Sequence, residues 1–405
     1  MLSDEVIDKI AERLVIRMES INEKVLKHIG ESMKSIGALN VSQAQQLVQI
    51  LKYGGDYDKL IKELTKITNL SAKEIKEIFN EVAKIDYDFS KDLFEYRKIK
   101  FIPYEENYAF KSQVEALASI TEQEFINFSN TTMIGFGIKD EEGNIILKGI
   151  KETYYDLIDE AALLVSQGKD TFDSVMRKRI KELGESGLRV IYPTLNANQT
   201  NRTMRLDSAV RMNLKGAIRD LHNHNQEELG KLFGSDGVEI SVHLAPAPDH
   251  AEVQGHQFRK EEFEKFQNDI DSKDVNGKPY PAKFGKYDRR SISQYNCYHT
   301  TFAIIVGVSI PNYTEKELQN ILDKNEEGFE FENKHYTMYE GTQLQRHIEL
   351  EVRKLKDYKV IAESSGYEDE VIKTNNKIRV LRNKYKQLSE VSGLSTRMER
   401  MRWYI

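Results

Sequence analysis

The 405-residue chain has one cysteine, Cys297, so it can form no intramolecular disulfide, and nothing in its cysteine usage points to an oxidising compartment. No stretch approaches the roughly 20 apolar residues that a membrane span requires, so no membrane partner is expected. The start, Met1-Leu2-Ser3-Asp4-Glu5, lacks the basic, then apolar, then small-residue order of a signal peptide. Three common signatures are also missing: G-x-S-x-G, the Walker A order GxxxxGK[ST] and the dinucleotide fingerprint. The glycines of Met133-Ile134-Gly135-Phe136-Gly137 lack the following Lys-Ser or Lys-Thr of a phosphate loop, and the segment reads as a turn with a reversal at Gly143-Asn144. These absences leave a protein made in the cytoplasm and kept there unless it departs inside a particle.

What is present is charge and helical periodicity. An apolar content of 39% suffices for more than one core, and 31% charged residues imply a large solvated surface. The whole chain carries −6, yet residues 346–405 hold 14 Lys and Arg against 9 Asp and Glu. Such a tail can face nucleic acid, and a weak DNA contact through the C-terminal basic helices is one expectation; a solvated helix with mixed charge is the commoner cause.

Ile7, Ile10, Leu14, Met18, Ile21, Val25 and Ile29 recur at three- and four-residue steps and predict a long amphipathic helix capped by Ser3 or Asp4. Its stripe needs a partner, which is either this chain's own helices, another copy, or a different protein. Asn40 or Ser42 caps a short helix that Gly54-Gly55 ends. Tyr57, Leu60, Ile61, Leu64 and Ile67 make a further face, and Ser71-x-x-Glu74 reads as a capping box opening another helix with Ile75, Ile78, Phe79, Val82 and Ile85 inward. Helices are also predicted from Tyr108 to Phe128 (Val114, Leu117, Ile120, Phe125 and Ile126 inward), from about Lys151, and from Phe172 to an end at Gly184. A polar, aperiodic stretch around residues 192–201 reads as a linker or exposed loop. A long helix follows with Leu206, Val210, Leu214, Ile218 and Leu221 aligned, flanked by Arg205, Arg211, Lys215 and Arg219.

After Gly234-Ser235-Asp236-Gly237 the period changes to two. Val238, Ile240 and Val242 alternate with Glu239, Ser241 and His243, as in a strand with one buried face. Pro246 and Pro248 then stiffen a turn that carries Asp249, His250 and His256. About forty residues on, Asn296-Cys297-x-His299 leads into Thr301–Val308, an apolar run with the look of a strand buried on both faces. His243, Asp249, His250, His256, Cys297 and His299 supply atoms that zinc accepts, but their spacings match no standard zinc signature. Hydrogen bonds among imidazoles, Asp249 and backbone hold the loop equally well, and that is the reading taken here, with a structural zinc as the alternative. Catalysis would need a base, a nucleophile or metal-bound water, and an open pocket; Glu252, or Cys297 with a histidine, has no accompanying motif. The C-terminal region is helical again: Leu344, Ile348, Val352 and Leu355 form one stripe, and Ile372, Ile378, Leu381, Tyr385 and Leu388 another. Ser364-Ser365-Gly366 separates the two, and a final segment holds Arg400 and Trp403.

Arg205-Leu206-Asp207-Ser208-Ala209-Val210-Arg211, then the segment from His243 to Phe258 with Gln254-Gly255, then Asn296-Cys297-x-His299, resembles the tailed-phage family called phage minor capsid protein 2, a relative of Mu-type minor head proteins. The resemblance runs from the amino-terminal helices to the final basic helices. It implies a virion structural or assembly protein acting near the portal in head assembly and genome packaging. The expected partners are portal, capsid or scaffold proteins, or a second copy of the chain. It brings no catalytic residues, and Arg205, Arg211, Gln254, Gly255 and Asn296 are carried over as structural motif positions only.

The combined expectation is an α+β protein, predominantly helical. An N-terminal helical region spans 1–103, a central helical region 104–190, a histidine-rich α+β head domain 191–312, and a basic helical region 313–405. It would be made in the host bacterial cytoplasm and held inside the head, with no catalysis and no cofactor, a structural zinc at the cluster being the alternative. The competing class is a virion-carried metal-dependent hydrolase or effector.

Overall fold

The computed structural model describes residues 4–96, 98–130, 134–139, 142–143, 145–192, 202–284, 287–294, 297 and 299–401. The predominantly helical α+β class is what the chain forms: long helices dominate, and the sheets are small and antiparallel.

The amino-terminal stripe forms as its period requires. Helix α1 (Asp4–Gly37) buries Ile7, Ile10, Leu14, Met18, Ile21, Val25 and Ile29. Asn40 caps α2 (Val41–Tyr53) in a reciprocal box with Gln43, and Gly54 closes it. The box expected at Ser71 does not exist. Helix α3 runs unbroken from Asp56 to Phe89, the Ser71 hydroxyl donates to the Ile67 carbonyl one turn back, and Glu74 reaches Arg13 and Arg17 of α1 instead. A serine can satisfy its hydroxyl mid-helix in this way, so the pattern Ser-x-x-Glu does not by itself open a helix. After the short α4 (Lys91–Tyr96), α5 (Tyr108–Asn130) buries Phe110, Val114 and Ala118, whereas Ile120 is 59% exposed. The inward face is rotated from the expected one, and the side chain of Phe125 lies outside the described residues.

Strands β1 (Ile134–Lys139) and β2 (Ile145–Gly149) form the expected reversal, with Gly143 in the left-handed region. Helices α6 (Ile150–Val165) and α7 (Lys169–Ser186) follow. The end predicted at Gly184 lies three residues further on, at Gly187. Gly184 is inside α7, where an added Cβ would stand 2.4 Å from the Tyr358 Cα, so this glycine serves a close helix approach. Strand β3 (Leu188–Tyr192) joins β1 on one side and β4 (Arg202–Arg205) on the other, giving the order β2-β1-β3-β4. The predicted linker, apart from Tyr192 at the end of β3, falls outside the described residues.

Helix α8 (Leu206–Phe233) buries Leu206, Val210, Leu214, Ile218 and Leu221, and packs on α1. A second sheet has β5 (Gly237–Ile240) between β6 (Gln257–Arg259) and β9 (Thr301–Ile304). Helix α9 (Lys260–Asn268) and the two-residue strands β7 (Lys283–Phe284) and β8 (Tyr287–Asp288) lie between β6 and β9 in sequence. Strand β5 is not polar on one face as expected, because Glu239 is buried and receives Asn312 and Gln257. Strand β9 is shorter than predicted: the Asp236 and Ser309 side chains take the Val306 and Ile305 amides, Gly307 turns the chain, and Val308 is exposed.

Helix α10 (Glu315–Glu327), the hairpin β10 (Phe329–Phe331) and β11 (Lys334–Tyr336), and the antiparallel pair α11 (Met338–Ser364) and α12 (Glu368–Ser392) complete the chain. On α12 the inward residue is Val371, and Ile372 points outward. The largest hydrophobic cluster runs from Ile7 of α1 through α3, α5, α6, α7 and α8 to Ile361 and Val371, with α1 contacting α3, α6, α8 and α11. The stripe of α1 is therefore buried against its own chain. Smaller clusters lie under α11 and α12 and around Ile240, Val253 and Phe266. No described helix is long and apolar enough to cross a membrane.

Candidate metal centre

The sheet places the two chemically loaded segments side by side. Beyond the paired strands, Ser241 N–H donates to the Thr300 carbonyl and Thr300 N–H to the Ser241 hydroxyl, both at 2.9 Å, which brings His299 next to the turn that follows β5. That turn returns to its origin: Gly255 N–H donates to the Ile240 carbonyl and Ile240 N–H to the His256 carbonyl. Gly255 has φ +73°, a conformation that strains any residue with a Cβ, and a Cβ there would also press on Leu318 Cδ2 of α10 at 2.4 Å, so glycine closes the loop.

Inside this frame His250, Cys297 and His299 converge. The Nδ1 atoms of both histidines are 3.5 Å from Cys297 Sγ, and the three donor atoms lie within 4.8 Å of one another. Each imidazole is held from its far side. His250 Nε2 lies 2.8 Å from the Arg290 carbonyl, and His299 Nε2 3.2 Å from Gln254 Oε1. Gln254 is itself oriented by His243 N–H, which donates to the same Oε1 at 2.8 Å. The His243 ring packs edge-on at 4.3 Å from that of His299. Asp249 is buried and accepts a two-pronged contact from Arg290, at 2.9 Å from Nε and 2.7 Å from Nη2. Arg290 thus grips the carboxylate of Asp249 with its side chain and the imidazole of His250 with its carbonyl.

Burial governs the electrostatics. It pushes the Cys297 thiol up, against the opposing pull of nearby amides and of Arg219 and Arg290. It pushes His250 down in spite of Asp249, and His299 well below the usual imidazole value, with His243 and His250 adding to the effect. Burial raises Asp249 too, but the Arg290 hydrogen bonds outweigh it and hold the carboxyl below its ordinary value. The cluster therefore presents two neutral imidazoles and a thiol.

Of the other expected residues, His256 stands apart, 3.6 Å from Glu315 at the surface, and Glu252 pairs with Lys278. Asn296 lies outside the described residues. Sequence reasoning missed Arg290 and Ser293. Ser293 has φ +67°, donates its N–H to Cys297 Sγ at 3.4 Å, and donates its hydroxyl to the His299 carbonyl at 3.0 Å. The only hint was Arg289-Arg290 at the end of the Gly- and Pro-rich loop.

The motif arginines go to acids of the same chain. Arg205 meets Asp357 at 2.7 Å and Asp207 at 3.2 Å, Arg353 meets the other oxygen of Asp207 at 2.8 Å, and Arg211 meets Glu12 at 3.0 Å. Gly187 makes room for this, since a Cβ there would be 2.3 Å from Arg205 Nη1. Lys215 and Arg400 both pair with Asp8, which ties the last described turn to α1.

A family model described as phage minor capsid protein 2 matches residues 2–390, nearly the whole chain. No curated protein and no solved structure matches it. Because the matched span includes the buried arginines of α8, the turn from His243 to Gly255 and the Cys297–His299 segment, the chain belongs to the phage minor capsid protein 2 family.

Proposed function

We propose that this minor capsid protein works by docking onto neighbouring head proteins close to the portal during head assembly and genome packaging, and performs no reaction. The observation that carries this reading is the burial of its most reactive side chains: His250, Cys297 and His299 are 1%, 2% and 3% exposed. A hydrolase needs a site that substrate and water can enter. Side chains this enclosed suit a rigid module better than a reaction centre, which also weighs against the virion-carried hydrolase.

With the α1 stripe consumed internally, docking falls to the outer surfaces of the remaining helices and of the small β5 sheet. Portal, capsid or scaffold proteins are the partners, with a second copy of the chain as a lesser option. Of the C-terminal cations, Arg353 and Arg400 are buried in ion pairs, so a weak DNA contact would fall to the exposed Lys377, Arg379, Arg382 and Lys386 of α12. The chain would be made in the host bacterial cytoplasm and retained in the head. Affinity capture of the tagged chain from cells with assembling heads tests this: portal or major capsid protein should be recovered stoichiometrically. Recovery of neither would defeat the proposal.

A further inference from the structure

We propose that His250 Nδ1, Cys297 Sγ and His299 Nδ1 bind one zinc ion, which clamps the turn after β5 to the segment entering β9. The argument begins with protons. A carbonyl only accepts, so His250 Nε2, 2.8 Å from the Arg290 carbonyl, carries the hydrogen and leaves a lone pair on Nδ1. His299 is fixed in the same tautomer. Gln254 Oε1 is identified as the oxygen because the His243 backbone N–H donates to it, so His299 Nε2 donates as well and its Nδ1 is also a bare acceptor. Both lone pairs face the same sulfur at 3.5 Å. A thiol has one proton and can satisfy one of them, while the Ser293 amide already donates to the sulfur. One buried imidazole nitrogen is therefore left against a sulfur lone pair.

A metal ion removes the conflict. In tetrahedral zinc, with Zn–S near 2.3 Å and Zn–N near 2.0–2.1 Å, a nitrogen and a sulfur ligand stand about 3.5–3.6 Å apart. Both observed separations, 3.5 Å, equal that edge. The far-side contacts to a carbonyl and to an amide oxygen are the supports that metal-bound imidazoles ordinarily have. Soft thiolate with imidazole favours zinc over calcium or magnesium. On binding, Cys297 loses its proton to solvent and ligates as the thiolate, which the nearby Arg219 and Arg290 favour. Three protein ligands leave the fourth position to a water, and the burial of all three suits the ion to a structural task rather than to a reaction.

The test is metal analysis of the full chain, expressed in zinc-supplemented medium and desalted, followed by exchange into cobalt(II). About one zinc per chain is expected. The cobalt form should show a sulfur-to-cobalt charge-transfer band together with intense visible bands of a four-coordinate ion. Cys297→Ser should lose the charge-transfer band and most of the metal. Folded wild-type chain without metal would overturn the assignment. So would bound cobalt lacking the sulfur band, or metal retained in full by Cys297→Ser. Should that variant fail to fold, the wild-type stoichiometry and cobalt spectrum decide the matter alone.

Discussion

Arg205, at the entrance of α8, and Asp357, in the C-terminal half of α11, meet at 2.7 Å although 152 positions apart in sequence, both buried. Burial raises the Asp357 carboxyl to about 6 even though Arg205 opposes it, so the pair is held in place at a desolvation cost. Asn22 of α1 donates to the other Asp357 oxygen at 2.8 Å and accepts the Leu188 amide, so three distant segments converge on one carboxylate.

Removing one member of such a network strands the others. Arg205→Met should cost about 3–5 kcal/mol in a urea titration, because buried Asp357 loses its cation without regaining water and Asp207 keeps only Arg353. A loss under about 1 kcal/mol would show that the network contributes little beyond ordinary surface pairs.

Glu19 sits near the same network. Burial, reinforced by Asp207, raises its carboxyl to about 8, above the ordinary 4.5. The folded state thus holds the proton more tightly than the unfolded one. The stabilisation is complete below the unfolded value and is lost as pH climbs through the folded one. Glu19→Gln mimics the protonated form, so its melting temperature should match wild type near about pH 4–5 and exceed it increasingly toward about pH 9. An offset that stays constant over this range would contradict the assignment.

Gly184 offers a contest between two opposed effects. Alanine inside a helix is favoured over glycine by about 1 kcal/mol. At this position the new methyl would stand 2.4 Å from the Tyr358 Cα, a backbone atom that cannot rotate away. Overpacking of this kind costs about 1–3 kcal/mol, so Gly184→Ala should destabilise the protein, read as a lower urea midpoint at unchanged slope. A higher midpoint would mean that α7 and α11 separate freely.

The long stripes were legible because their signal is periodic: Ile7 to Ile29 and Leu206 to Leu221 are buried as their spacing requires. Local pairs were less informative. Ser71 and Glu74 carry the letters of a capping box yet lie inside α3, where the Ser71 hydroxyl bonds back to Ile67 and Glu74 pairs with Arg13 and Arg17 of another helix. Gly184 resembles a terminator only until Tyr358 is placed against it. The β10–β11 hairpin went unseen because its turn, Glu332-Asn333, takes positive φ at both residues without the glycine that usually signals it. At the site, the loaded residue types marked His250, Cys297 and His299. Arg290 reaches the His250 ring through its backbone carbonyl and Ser293 reaches the Cys297 sulfur through its backbone amide, contacts that side-chain chemistry does not reveal.

The proposed role as a built-in part of the head is tested most directly by counting the chain's copies in DNA-free proheads and in mature virions by quantitative mass spectrometry. The same copy number is expected in both. Its absence from proheads, with appearance only alongside packaged DNA, would contradict that role.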